Sequence, residues 1–404
     1  MGSRSIYITS LSLCLAIFWV FPQIAYGQSD LTRALVIIEQ NNKAIRTAKQ
    51  KAEAQKLLSR TENAPDDPFV SADYLIGRPV SGGNQVDLIV TQAFDFPTVY
   101  SKRAQLVDRK ATLFDLEVDQ VRQEVLWEAQ QIGLHVVYLN RRQVQLQQRA
   151  LEARRMLDDL EAKFAAGEIN ALEVNKARIR LLGMEHQIRK NQTEIGSDLK
   201  DLLALNGGLP LTIADTTYPI RDSLPDRDSL IQTIQEADLD YRYEQARQLV
   251  EKKQVEVTKA QALPQMETGY HYQSVLGQTY SGVHLGLSLP LWHHRNKVKA
   301  GESLVLFREQ ETAHRLHHIE YEVDRLYQLY QSTGQGLRSY REALSNLTTR
   351  EVLDALLAAK EIDFITYARE LDYYYEAIDT YLEVEMTYHL TIAELLKFQL
   401  INYE

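Results

Sequence analysis

Apolar positions along this chain keep two different periods, and the switch between them marks the elements. From Val118 a step of seven lands on Val125, Ile132, Leu139, Leu146, Ala153 and Leu160; from Leu316 it lands on Val323, Tyr330, Leu337 and Leu344. A sustained heptad keeps one apolar seam along a helix and winds it into a left-handed supercoil. The pattern predicts one very long helix in each half of the chain. The first, over 101–164, would span about 95 Å at a rise of about 1.5 Å per residue. No proline interrupts 98–209 or 291–404.

Each long helix breaks once and returns. In Ala166-Gly167-Glu168-Ile169-Asn170, Gly167 suits a left-handed helix end, and Asn170 with Glu173 has capping-box spacing for the next helix. In the second half Asp363 is the N-cap candidate. Both segments read as helical hairpins with short tips, which an ordinary helical bundle also has.

Elsewhere the period falls to two. Val86, Leu88, Val90, Phe94 and Phe96 interleave with Asp87, Ile89, Thr91, Ala93 and Asp95; Val283, Leu285, Leu287 and Leu289 interleave with His284, Gly286 and Ser288. Such alternation predicts strands with one apolar and one polar face. Segments 68–76 and 265–275 are the predicted hairpin partners, joined through Ser81-Gly82-Gly83-Asn84 and Gly277-Gln278. About ten residues is the length of a tilted membrane strand, and Tyr100, Tyr270, Tyr272 and Trp292 suit an interfacial aromatic girdle. A soluble two-hairpin domain fits the alternation too. Four strands cannot close a barrel and an open edge cannot sit in lipid, so a membrane reading requires several chains to share one barrel.

The elements are expected twice in the same order, over about 30–206 and 228–398. Asn42-Lys43-Ala44-Ile45-Arg46 lies opposite Asp238-Leu239-Asp240-Tyr241-Arg242, Pro68 opposite Pro264 and Tyr74 opposite Tyr270, all 196 positions on. After a drift to 193, Phe96-Pro97 lies opposite Leu289-Pro290, and Ala165-Ala166-Gly167-Glu168-Ile169 opposite Ala358-Ala359-Lys360-Glu361-Ile362. Each half should open on one polar helix of about 30 residues. Asn206-Gly207-Gly208-Leu209-Pro210 and the stretch to Pro225 read as the linker.

The first 27 residues fit neither period. Arg4 precedes a mostly apolar run from Ile6 to Phe21, and Ala25-Tyr26-Gly27 is a small-x-small site. A secretory signal peptide cut before Gln28 is expected; the alternative is an uncleaved anchor helix. The one cysteine, Cys14, falls in this segment, so 28–404 would hold neither a disulfide nor a cysteine zinc site. The chain has 45 Lys and Arg against 55 Asp and Glu, a net charge of −10; without Arg4 it is 44 minus 55, or −11. Such acidity argues against nucleic-acid binding through basic patches. Ten prolines in 404 residues, half the usual share of about 5%, leave room for uninterrupted helices. No run after the leader reaches the length of a membrane-spanning helix.

Candidate chemistry is sparse. There is no Gly-rich phosphate loop, no His-Glu-x-x-His and no nucleophile elbow, so no enzyme activity and no cofactor are expected. His314, His317 and His318 stand at i, i+3 and i+4, a spacing that can bring two imidazoles to one metal. With His293-His294 they make metal efflux a conceivable role. A polar helix face is the simpler reading, since no Cys or Met cluster accompanies them.

The internal pairing, the Phe96-Pro97 and Leu289-Pro290 strand ends, the Ala-Gly-Glu-Ile-Asn tip followed by Leu172-Glu173-Val174, and the Tyr/Ala/Leu-rich final helix from Tyr373 to Phe398 resemble the TolC-like outer-membrane efflux protein family. The resemblance covers essentially all of 28–404. It implies a mainly α fold with β: long antiparallel coiled-coil hairpins plus four strands given to a trimeric twelve-stranded outer-membrane barrel, with internal duplication. It divides the chain into signal peptide 1–27, first repeat 28–208, linker 209–226 and second repeat 227–404. It further implies a homotrimer in the outer membrane of a Gram-negative cell, in contact with outer-membrane lipid and extending into the periplasm. There the trimer would passively conduct substrates delivered by a periplasmic adaptor and an inner-membrane pump, with no nucleic-acid partner. On this reading Gly167, Glu168, Asn170, Glu173, Lys360, Glu361 and Asp363 form the periplasmic tip, gate and adaptor contact. Pro97 and Pro290 mark the barrel strand ends, and Asp87, Asp95, His284 and Ser288 are lumen candidates. No catalytic, cofactor-binding or metal residue is implied. The alternative is a periplasmic coiled-coil adaptor or structural protein without channel activity. The sequence departs from the family where a common Asn-Pro reads Asn42-Lys43 and Asp238-Leu239. An aspartate ring carried by some members after the second tip reads Thr366 and Arg369 here.

Overall fold

A computed structural model describes residues 29–79, 82–219, 223–290, 294–345 and 349–402. The expected signal peptide, 1–27 with Cys14, lies outside the described residues, as do Ser81, Trp292 and His293.

The chain opens on helix α1 (Asp30–Asn41), started by the Ser29 side chain, which accepts from Thr32 N–H. The sequence predicts one helix from here to about residue 60, but the structure breaks it at Asn42. Asn42 is extended, ends α1 and caps α2 (Lys43–Thr61). Its Oδ1 accepts from Ile45 N–H at 3.0 Å and its Nδ2 donates to the Leu205 carbonyl at 2.8 Å. The second half repeats the break. Asp238 is extended between α5 (Arg227–Ala237) and α6 (Leu239–Ala260) and accepts from Tyr241 N–H at 2.8 Å. A polar side chain that accepts from the helix behind it forces the helix to restart. The missing proline after each of these residues therefore does not remove the break.

After α2 come strands β1 (Phe69–Ile76) and β2 (Asn84–Phe94); after α6 come β3 (Gln265–Val275) and β4 (Gln278–Ser288). They form one antiparallel sheet in the order β1-β2-β3-β4, so the central pairing joins the two halves of the chain. The predicted strands hold except at their ends. Phe96 and Leu289 lie outside them, and Phe96 instead precedes a helix whose first position is Pro97. Proline has no N–H to give a sheet and suits the first helical turn.

Helix α3 (Pro97–Ala165) runs for 69 residues, about 100 Å at the standard rise. It turns back into α4 (Ala171–Leu205). In the second half come α7 (His294–Ser345) and α8 (Thr349–Ala358), with 346–348 outside the described residues, and α9 (Phe364–Leu395) returns, followed by a 3-10 turn, Lys397–Asn402. The heptad seam is real: Val125, Leu139, Leu146, Ala153 and Leu160 are buried on α3, and Val323 and Leu337 on α7. Near the sheet α3 packs against α2 and α6; toward its far end it packs against α4 and α9.

The largest core lies at mid-length, where Leu31, Ile38, Ala129, Leu134, Val137, Leu202 and Ala393 meet. Gly133 admits α1 there. A Cβ on it would meet Leu31 Cδ1 at 2.2 Å, so any larger residue would force the Leu31 side chain to move within this core. Among the described residues no helix is long and apolar enough to cross a membrane.

Candidate functional site: the sheet faces and the helical tips

The strand register sorts the sheet into two unlike faces. Residues paired directly across antiparallel strands share a face. One face gathers Val70 and Tyr74; Val86, Leu88, Val90 and Phe94; Met266 and Tyr270; and Val283, Leu285 and Leu287. All of these are exposed, Val283 by 77% and Leu285 by 78%. Among the described residues no helix covers this face. Uncharged polar residues such as Gln92 and Thr268 share it, but no charge does; a large apolar patch left open is costly in water and marks an interaction surface.

The opposite face carries the carboxylates and imidazoles of the strands. Asp73, Asp87, Glu267, His271 and His284 all fall on it, with Tyr280, and the four strands hold no lysine or arginine. Of the expected lumen residues, Asp87 and His284 stand on this face, and Ser288 closes it at the end of β4 opposite Gln265. Asp95 does not. It lies past the end of β2, forms an ion pair with Arg103 at 2.6 Å and accepts from Gln265 Nε2 at 2.8 Å. That contact pins the strand end to the first turns of α3. Pro97 opens α3 and Pro290 follows β4, so both stand beyond the strands. Glu267, His271 and Asp73 were legible in the same alternation, since they interleave with Tyr270, Tyr272 and Tyr74, but they were not singled out.

At the far end, the two tips are built alike. Gly167 has φ +76° and Lys360 φ +60°. Glu168 N–H donates to the Lys163 carbonyl at 2.9 Å and Glu361 N–H to the Leu356 carbonyl at 3.0 Å, the closing bond of a Schellman turn in both. Asn170 then starts α4 by accepting from the N–H groups of Leu172 and Glu173, and Asp363 starts α9 by accepting from Thr366 N–H. The hydrogen bonds from Thr366 hold the Asp363 carboxyl below the usual carboxylate range. Glu168, Lys360, Glu361 and Asp363 are exposed, whereas Glu173 is half-buried in the first turn of α4.

The tips are held together side by side. Phe364 of α9 is buried among Leu157, Leu160, Val174, Ala177 and Leu181 of α3 and α4. Above that cluster three arginines of the first hairpin meet three carboxylates spaced along α9. Arg180 binds Asp372 through two hydrogen bonds of 3.0 and 2.7 Å, and Arg149 binds Asp379 through two of 2.9 and 2.7 Å. Arg141 binds Glu385. The Arg149 guanidinium also lies 4.4 Å from the centre of the Tyr375 ring, and the Tyr375 hydroxyl donates to Glu152. Sequence reasoning missed this ladder. The signal was a pair of carboxylates seven apart, Asp372 and Asp379, beside the apolar seam.

The histidine triplet spreads out. His314 and His318 have ring centres 6.3 Å apart, His318 Nδ1 is 3.3 Å from Glu322, and His317 pairs with Glu320. Among the described residues no three His, Cys, Asp or Glu side chains gather as a metal site. Thr366 and Arg369, where an aspartate ring was considered, serve the Asp363 cap and a contact with Glu370.

No protein-family profile and no curated protein sequence matches the chain. Its fold, however, is that of solved outer-membrane channels. CusC, whose crystal structures concern folding and transmembrane channel formation, is 13% identical with a TM-score of 0.74 over 93% of this chain and 95% of that one. A membrane protein from Pseudomonas aeruginosa is 14% identical with a TM-score of 0.70 over 92% of both chains. The Campylobacter jejuni outer-membrane channel CmeC is 15% identical with a TM-score of 0.65 over 100% of this chain and 95% of that one.

Proposed function

We propose that this chain is one third of an outer-membrane duct of the TolC-like type, built from two duplicated repeats. The observation that carries the reading is the bare apolar face of a four-stranded sheet whose carboxylates and imidazoles all lie on the other face. In lipid, such a sheet needs closure, because the outer edges of β1 and β4 would leave backbone groups unpaired. Three copies side by side would close one barrel, with the apolar face toward lipid and the polar face toward water. The helical hairpins then continue the duct into the periplasm.

The duct is passive: solutes enter from a periplasmic adaptor and an inner-membrane pump and leave outside. The tips Gly167–Glu173 and Lys360–Asp363 form its periplasmic end and the adaptor contact. The ladder from Arg141, Arg149 and Arg180 to α9 holds the hairpins together in the closed state. An adaptor that binds the splayed state better shifts the balance toward it.

Fractionation and planar-bilayer recording test this reading. The full chain is expected in the outer membrane, as a heat-labile trimer that conducts. Glu168→Ala with Glu361→Ala is expected to change conductance or cation preference. A soluble monomer would instead favour an adaptor or structural role.

A further inference from the structure

The polar face of the sheet has a composition that its alternation alone does not require. Each chain places three carboxylates there (Asp73, Asp87 and Glu267) and two imidazoles (His271 and His284), with no fixed positive charge on any strand. The two imidazoles each stand beside a carboxylate. His271 Nε2 is 3.9 Å from Asp87 Oδ1, and His284 Nε2 is 3.8 Å from Glu267 Oε1. Both distances are too long for a hydrogen bond. His271 Nε2 and Asp87 Oδ1 are also shut off from solvent and unpartnered, while the other oxygen of Asp87 accepts from Gln85 Nε2 at 2.7 Å. The remaining ionisable groups facing these pairs are Asp73 across from Asp87 and Tyr280 on β4.

We propose that these pairs make the barrel lumen of the duct a proton-dependent charge filter. The inference rests on the duct reading. A protonated imidazole donates from both ring nitrogens, so each pair then closes as a charge-assisted contact. Histidine is the side chain whose charge changes between about pH 5 and 8. With neutral rings each chain offers three negative charges to the lumen; with both rings protonated, three minus two leaves one. A trimer therefore goes from nine to three. Charges of one sign between low-dielectric walls concentrate counter-ions, so the lumen favours cations at high pH and loses most of that preference in mild acid.

Reversal potentials of the full chain in planar bilayers, under a potassium chloride gradient at about pH 8 and about pH 5.5, test the filter. The cation-over-anion permeability ratio of the wild type is expected to fall about two-fold or more in acid. His271→Gln with His284→Gln should flatten that fall. Asp87→Asn with Glu267→Gln should lower the ratio at pH 8 itself. A wild type whose ratio does not move with pH overturns the inference, and so does a double histidine variant that keeps the full wild-type response. Both results leave the duct intact. A chain that never conducts at either pH overturns the duct reading and the filter with it.

Discussion

Gly167 and Lys360 hold the same left-handed backbone at the same point of the two tips, with φ +76° and +60°. Both are followed by a residue whose N–H closes the same turn onto the preceding helix. Glycine adopts this conformation freely, whereas a side chain pays about 1–2 kcal/mol for it. Lys360→Gly is therefore expected to stabilise the chain by about 1 kcal/mol, and Gly167→Lys to destabilise it by a similar amount. Urea unfolding in detergent measures both. Equal and opposite shifts are the expected result; no shift from either would mean that the tips refold around the substitution.

The Arg149–Asp379 pair is lopsided in burial. Arg149 is 4% exposed and Asp379 37%. Removing the acid leaves a guanidinium in the core beside the Tyr375 carbonyl and ring without its ion-pair partner. Removing the base frees a carboxylate that water already reaches. Asp379→Ala is expected to cost about 3 kcal/mol, as breaking a buried pair does, and Arg149→Met clearly less. A double-mutant cycle gives the coupling. If the ladder holds the closed state, both variants should also raise conductance.

The long helices, the strands and both tips were legible because each rests on a local rule: a heptad, a two-residue alternation, or a cap with its glycine. What stayed hidden depends on partners far away in sequence. The break at Asn42 is secured by the carbonyl of Leu205, and the break at Asp238 by Arg315, whose Nε and Nη2 reach it at 3.1 and 2.7 Å. A heptad shows where the seam lies but not which flanking arginine meets which carboxylate on another helix, so the ladder could not be read. Asp95 was misplaced by two residues of strand, because alternation runs on through Phe96 while Pro97 has already committed the chain to a helix.

The Asp238 cap gives a graded prediction. Asp238→Asn keeps a side-chain oxygen for Tyr241 N–H and loses only the charge opposite Arg315. Asp238→Ala loses the cap as well, worth about 1 kcal/mol, and strands the guanidinium. Thermal unfolding should rank the wild type first, Asn second and Ala last. The same rank is expected for Asn42→Asp and Asn42→Ala, since the partner there is a carbonyl that a carboxylate would repel.

His135 and Asp198 tie stability to pH. The side-chain hydrogen bond that Nδ1 donates to Asp198 at 2.7 Å raises the imidazole above its ordinary value against an opposing cost of burial. A raised folded-state value stabilises the fold fully below the unfolded value of about 6.5 and loses that contribution as pH climbs through the folded value. The melting temperature should fall modestly between about pH 6 and about pH 8, since the ring is 41% exposed and water screens the pair. His135→Gln should remove that slope. A slope unchanged in the variant would assign the titration to another group.

The orientation of the sheet can be tested with one charge moved between faces. Leu285 lies on the bare apolar face and is 78% exposed, while Ser288 lies on the polar face of the same strand. If the apolar face meets lipid, Leu285→Lys places an ammonium in hydrocarbon at a cost of about 2–4 kcal/mol near the middle of the bilayer. That variant should leave the outer-membrane fraction and fail to form the heat-labile trimer. Ser288→Lys should insert and assemble, because its ammonium meets water, and it should lower the cation preference instead. Equal tolerance of both substitutions would mean that the apolar face is not against lipid. Loss of assembly from Ser288→Lys alone would reverse the assignment of the two faces.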